Sequence, residues 1–117
     1  MGTFGEIAAA TAAAAFGAAA DLVLVGDYSR PSVGLIASGV EFIPQPIAPE
    51  EMGSGYLQPG DVRLIVRAAT LGGHAFKMDG GDTLSASLSG GGTAQYLVIG
   101  GALDAAGAVW RVYGRAT

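Results

Sequence analysis

Apolar and polar residues alternate along several short segments in the second half of the chain, a pattern typical of strands with one buried face. In residues 62–67, branched apolar residues alternate with Arg63, Ile65 and Arg67. Residues 83–88 alternate in the same way between apolar residues and Thr or Ser, and further strands are predicted at 94–99 and 108–113. The breaks between strands are rich in glycine: Gly72-Gly73, Asp79-Gly80-Gly81, Gly90-Gly91-Gly92 and Gly100-Gly101. Asp104 to Gly107 suits the short loop of a final hairpin.

The first half predicts one helix and two β regions. Residues 6–20 are rich in alanine, the best helix former, and Thr3 precedes Glu6 at the spacing of a capping box. A strand is predicted within residues 21–28, followed by a turn at Arg30-Pro31. A second β region covers residues 33–43, where Gly34 and Gly39 predict bulges or close backbone contacts.

Residues 44–57 are predicted to form a long loop. Their prolines, at every second or third position, argue against a helix and against a central strand. Loops of this length are usually functional or mobile. We therefore expect this segment to be the main docking element, and an ordinary surface connection is the alternative. The expected interface residues are Pro44, Pro46, Ile47, Pro49, Met52 and Tyr56.

These elements predict a single all-β domain over residues 1–117, an antiparallel β-sandwich or small barrel with one N-terminal helix. The helical segment is residues 1–20 and the β body is residues 58–117. Charged residues make up only 14% of the chain, against about 25% in a typical globular protein. So few charges suggest that a partner covers part of the surface. The alternative is that the apolar fraction is inflated by small alanines.

The net charge is −4 and no basic cluster is present, so phosphate-driven binding of nucleic acid by the monomer is not expected. Arg63, Arg67, Arg111 and Arg115 nevertheless occupy alternating strand positions. On adjacent strands they would form a positive stripe that a ring-shaped oligomer repeats. A solvated strand face is the other interpretation.

Catalytic or metal-binding residues are not indicated. His74 is the only histidine and cysteine is absent, so a transition-metal site lacks its usual ligands. Asp79 and Asp82 flank two glycines, but the further ligands of a calcium loop do not follow. The glycine tracts lack the Gly-Lys-Ser/Thr of a phosphate-binding loop. We expect no enzyme activity and no cofactor, and we expect Trp110 to lie in the core or to anchor an interface.

A targeting segment is not indicated either. Residues 1–5 lack the basic residues that begin a signal peptide, and residues 7–20 are too short to span a bilayer. The sequence thus predicts a cytoplasmic product.

Residues 60–115 resemble the small head–tail joining proteins of tailed bacteriophages, also called head-completion or stopper proteins. The similarity rests on the strand at 62–68, the Gly81-Asp82-Thr83-Leu84 turn and strand, and a late aromatic strand at 108–113. One departure is the glycine tract at 89–93, which separates Tyr96 from its expected place in the closing aromatic strand. A second is the final hairpin, which follows Gly100-Gly101.

This resemblance implies a virion protein, assembled in the host cytoplasm, that forms a ring below the portal and contacts other neck and tail proteins. It implies no catalytic residues. Arg63 and Arg67 are then expected to line the channel and to contact packaged DNA without sequence specificity. A tail-terminator, tail-completion or decoration protein would fit the sequence equally. An alternative of another class is a ligand-binding or enzymatic β-barrel, with a deep pocket lined by His74, Tyr96 or Trp110 beside an acid of perturbed pKa.

Overall fold

Six antiparallel strands form a closed barrel in a computed structural model that describes residues 14, 16–17, 22–47, 57–58, 60–77, 80–88 and 90–117. Around the barrel the strands follow the order β1-β2-β3-β6-β5-β4, and β4 pairs with β1 to close it. A short 3-10 helix, Ala68–Leu71, follows β3. The strands are β1 (Leu24–Arg30), β2 (Gly34–Pro46), β3 (Val62–Arg67), β4 (Thr83–Ser87), β5 (Thr93–Leu103) and β6 (Val109–Ala116).

The all-β prediction is confirmed, and of the two arrangements expected, the described strands form the barrel. The predicted helix at residues 6–20 falls largely outside the described residues. Strand β3 has the predicted bounds, and the turn between β5 and β6 closes through a hydrogen bond from the Gly107 amide to the Asp104 carbonyl. The bulge predicted at Gly39 is confirmed by a shift in the pairing of β1 with β2 there.

The prediction that the long loop begins at Pro44 was wrong, because Pro44 and Pro46 continue strand β2 and pair with Leu64 and Val62. Pairing of β2 with β1 ends at Phe42, so beyond that residue β2 has a neighbour on one side only. Successive residues of a strand bond to opposite sides. Prolines two residues apart can therefore both turn their missing N–H away from β3, as on an edge strand.

The prediction that a strand ends at Gly100-Gly101 was wrong. Both glycines lie within β5, beside a register shift relative to β6. Gly101 has a φ of 134°, and a Cβ there would lie 2.4 Å from the carbonyl oxygen of Arg111. Close backbone approach, rather than a turn, requires glycine at this position.

The barrel interior is packed with apolar side chains from every strand. Phe76 links two aromatic neighbours: its ring centroid lies 4.8 Å from that of Tyr28 and 5.2 Å from that of Trp110. Trp110 is partly buried and packs against the core, as predicted. The buried cluster comprises Tyr28, Val40, Phe42, Leu64, Val66, Leu71, Phe76, Leu84, Ala86, Val98 and Val112.

Candidate functional site

One side of the barrel, formed by β3 and β6, is rich in arginine. The strand order places the β3–β6 pair across the barrel from the β1–β4 pair. Leu64 and Val66 of β3 and Val112 of β6 point into the core, so the residues between them point outward. We call the outward side of β3 and β6 the arginine face. It consists of Arg63, Ile65, Arg67, Arg111, Tyr113 and Arg115.

The arginine face confirms that the four predicted arginines lie on adjacent strands. Arg63 is paired with Tyr113, and Ile65 with Arg111. Four of the chain's six basic residues are thus collected on one side of an acidic protein. That asymmetry makes this side the strongest candidate for recognition of a partner.

Two of these arginines are ion-paired with carboxylates of the same chain. Arg67 Nη1 lies 3.3 Å from Glu41 Oε1, and Arg115 Nη2 lies 3.0 Å from Asp61 Oδ2. The hydrogen bond from Arg115 holds the pKa of Asp61 below its ordinary value although burial opposes this, and the Gln58 N–H adds a bond of 2.8 Å. The face offers less positive charge than its arginine count suggests, and the channel-lining role of Arg63 and Arg67 stays a prediction.

The expected docking residues are partly visible. Pro44, Pro46 and Ile47 line an open groove of about 570 Å³ together with residues around Asp61. The groove lies at the end of the barrel where the segment between β2 and β3 leaves and returns. Pro49, Met52 and Tyr56 lie outside the described residues.

A buried polar network escaped the sequence analysis. Asp82 is fully buried and accepts hydrogen bonds from Arg30 Nε at 2.6 Å, from the Lys77 N–H at 2.7 Å and from the Tyr28 hydroxyl. Arg30 also bonds the Tyr28 hydroxyl at 2.9 Å. The network ties the connection before β4 onto β1 at one end of the barrel.

Electrostatics keep this network charged. Burial alone would raise the pKa of Asp82, but hydrogen bonds from Arg30, Tyr28 and the Lys77 amide together hold it below its ordinary value. Burial, followed by the hydrogen bond to Asp82, raises the pKa of Tyr28 to about 12. A carboxylate with every partner in place is arranged for stability rather than for proton transfer. The one sequence signal was Asp82 at the start of the alternating strand over residues 83–88, and that position alone does not indicate Arg30 or Tyr28 as its partners.

Two of the three residues expected to line a catalytic pocket lie together in the described part of the chain. His74 and Trp110 line an apolar groove of about 360 Å³, and none of its described lining residues is a carboxylate. Tyr96 lies elsewhere, with its ring 6.3 Å from that of Phe42. Within the described ranges, no three His, Asp or Glu side chains come together as metal ligands.

No protein-family model, curated protein or solved structure matches this chain. No helix in the described part of the chain has the length and apolar character needed to cross a membrane.

Proposed function

We propose that this chain is a structural virion protein that assembles with copies of itself into a ring at the connector between a phage head and its tail. The proposal combines the resemblance of residues 60–115 with the character of the barrel's outer surface. The observation that carries it is the exposure of large apolar side chains on a barrel with few charges. Leu22, Val25, Val33 and Leu35 are each 58% to 65% exposed.

All four of these side chains lie on or beside the β1–β2 hairpin, with Val33 and Leu35 at its tip and Leu22 and Val25 at its other end. Each would expose apolar area to water in a monomer. Scattered apolar residues are ordinary on a surface, but several on one hairpin favour a contact with another protein. Chemistry for substrate turnover is not needed to explain any of these features.

The segment between Pro46 and Leu57 is proposed to dock onto the neighbouring ring or tail protein. Deleting residues 47–55 is expected to leave the barrel folded, since all six strands and the described members of the core cluster are contributed by other parts of the chain, and to abolish docking. Far-ultraviolet circular dichroism would check the fold, and a complementation assay would check assembly. Normal assembly of the deletion variant would refute the docking role.

Electron microscopy tests the function itself. Negative-stain images of the purified protein are expected to show closed rings, and labelled particles are expected to carry the protein at the neck. A label along the tail or over the capsid would instead support a tail-terminator or decoration protein. A monomer at every concentration, with no place on any particle, would overturn the proposal.

A further inference from the structure

We propose that Arg111 of one copy binds in a shallow cavity around Asp27 on the next copy, so that the arginine face of each subunit meets the β1–β4 side of its neighbour. This inference rests on the proposed self-assembly and names the contact that would build the ring. It joins two residues on opposite sides of the barrel, neither of which has a partner in the described part of the chain.

The receiving cavity lies on the outer surface of β1 and β4 and has a volume of about 320 Å³. Asp27 is exposed, and it makes no ion pair with any described residue. Ser85, Ser87 and Thr93 line the same cavity, so their hydroxyl groups add hydrogen-bond acceptors to the carboxylate. A guanidinium group, with five donors in a planar fork, is the side chain that suits such a site. The lining residues are Val25, Gly26, Asp27, Ser85, Ala86, Ser87 and Thr93.

Arg111 is the matching donor. It lies on β6, is exposed, and makes no ion pair with the residues that the structure describes. Lys77 is exposed too, but it lies on the connection before β4 and not on the arginine face. The contact uses the β6 half of that face, and Arg63 and Arg67 of β3 lie beside it.

The other carboxylates within the described ranges are already engaged. Glu41, Asp61 and Asp82 are each ion-paired with an arginine of the same chain. Asp104 accepts a hydrogen bond of 2.9 Å from the Ala108 N–H in the β5–β6 turn. Asp27 is therefore the described acidic side chain that has neither an ion pair nor a hydrogen bond within the described part of the chain.

The positions of the two groups determine that copies join head to tail. Complementary patches on opposite sides of one subunit make such a contact, which generates a closed ring when the rotation between successive subunits closes and an open filament when it does not. A contact between two identical faces would stop at a dimer. The Asp27–Arg111 pair thus fits the ring proposed above.

A nucleic acid is the competing occupant of the arginine face. Binding to a phosphate backbone relies on several cationic groups acting together. Here Arg67 and Arg115 are paired within the chain and the net charge of the protein is −4. The charges therefore favour a contact with one carboxylate over a contact with a polyanion.

Charge reversal tests the inference. Asp27→Arg and Arg111→Glu, each alone, are expected to raise the dissociation constant of self-association at least about tenfold, because like charges then meet at the contact. Sedimentation velocity would measure this constant. Mixing the two variants is expected to restore assembly, since each retains the surface that the other lacks. Lys77→Glu, which changes the net charge as Arg111→Glu does, is the matched control and should assemble normally. Thermal melts would show whether each variant is folded, and Asp27→Asn and Arg111→Gln would replace a variant that is not.

Four outcomes would overturn the inference. If the wild type forms rings and both reversed variants do so equally well, the contact is wrong while the proposed function stands. Loss of assembly without rescue on mixing would exclude a head-to-tail contact between these two residues. If Arg111→Glu loses affinity for duplex DNA but keeps its oligomeric state, the face binds polyanions. A wild type that stays monomeric would overturn the inference and the proposed function together.

Discussion

The buried carboxylate of Asp82 provides the sharpest test of how this barrel is stabilised. Asp82→Asn preserves the shape of the side chain, so the change removes the charge without creating a cavity. It also places an NH₂ group among donors, because Arg30, Tyr28 and the Lys77 N–H all point at the carboxylate. At least one donor is then left without an acceptor inside the protein.

Breaking a buried ion pair by removing one partner costs about 3–5 kcal/mol. Arg30 is 20% exposed while Asp82 is completely buried, so water can partly rehydrate the arginine. The expected loss is therefore at the lower end, about 3 kcal/mol in the free energy of unfolding. For a domain of this size, a loss of that magnitude lowers the Tm by about 12 °C, at about 4 °C per kcal/mol.

Thermal and urea denaturation, at a protein concentration where the chain is monomeric, would measure the loss, with Asp27→Asn as the matched control. Asp27 is exposed, and its substitution should change the stability by less than about 0.5 kcal/mol. An equal effect of the two substitutions would refute the reasoning, because it would mean that the network around Asp82 contributes no more than an exposed carboxylate.

The pH dependence gives a second measure of the same group. The pKa of Asp82 is lowered in the folded state, so its contribution to stability is complete above the unfolded pKa of about 3.9. That contribution is lost as the pH falls through the folded-state pKa. The stability difference between the wild type and Asp82→Asn should stay constant from about pH 5 to 8 and narrow below about pH 4. A difference that narrows only at alkaline pH would contradict the assignment.

Three further substitutions test packing and surface. Gly26→Ala should lower the free energy of unfolding by about 1–3 kcal/mol, because the new Cβ would lie 1.8 Å from the Ser85 carbonyl oxygen. Gly90→Ala is the control, since the space around Gly90 is open. Equal melting curves for the two variants would contradict the close approach at Gly26. Phe76→Ala should lower the free energy of unfolding by about 3–5 kcal/mol, because the ring contacts two aromatic neighbours. A loss below about 1 kcal/mol in urea denaturation would be inconsistent with that packing. Leu35→Ser should leave the Tm of the monomer nearly unchanged, because the side chain is 63% exposed. It should weaken self-association measured by sedimentation velocity. Unaltered association would show that Leu35 does not belong to the proposed interface.

The strands were predictable where one face is buried and the other is solvated. Alternation alone located β3, because Leu64 and Val66 pack in the core while Arg63 and Arg67 point outward. Proline and glycine misled the prediction at Pro44–Pro46 and at Gly100-Gly101. Their effect on structure depends on which neighbouring strand is present, and a sequence does not show where pairing with β1 stops.

The candidate site was predictable only in part, because several of its contacts join residues far apart in the sequence. The positive stripe followed from spacing once β3 and β6 were taken as neighbours. The pairing of two of its arginines with Glu41 and Asp61 depends on contacts between residues 26 and 54 positions apart in sequence. The network of Tyr28, Arg30 and Asp82 likewise joins segments more than 50 residues apart, so no local pattern indicates it.

The closure of the barrel has a consequence for how the protein can associate. A sheet with an open margin invites another chain to add its backbone, which is the route to irreversible fibrous deposits. Here β1 is hydrogen-bonded to β4 as well as to β2, and the stretch of β2 beyond Phe42, which has a neighbour on one side only, carries two prolines that cannot donate a backbone hydrogen bond. Copies that meet are therefore expected to recognise one another mainly through their side chains, and a contact made of ion pairs is weakened by a single substitution or by added salt.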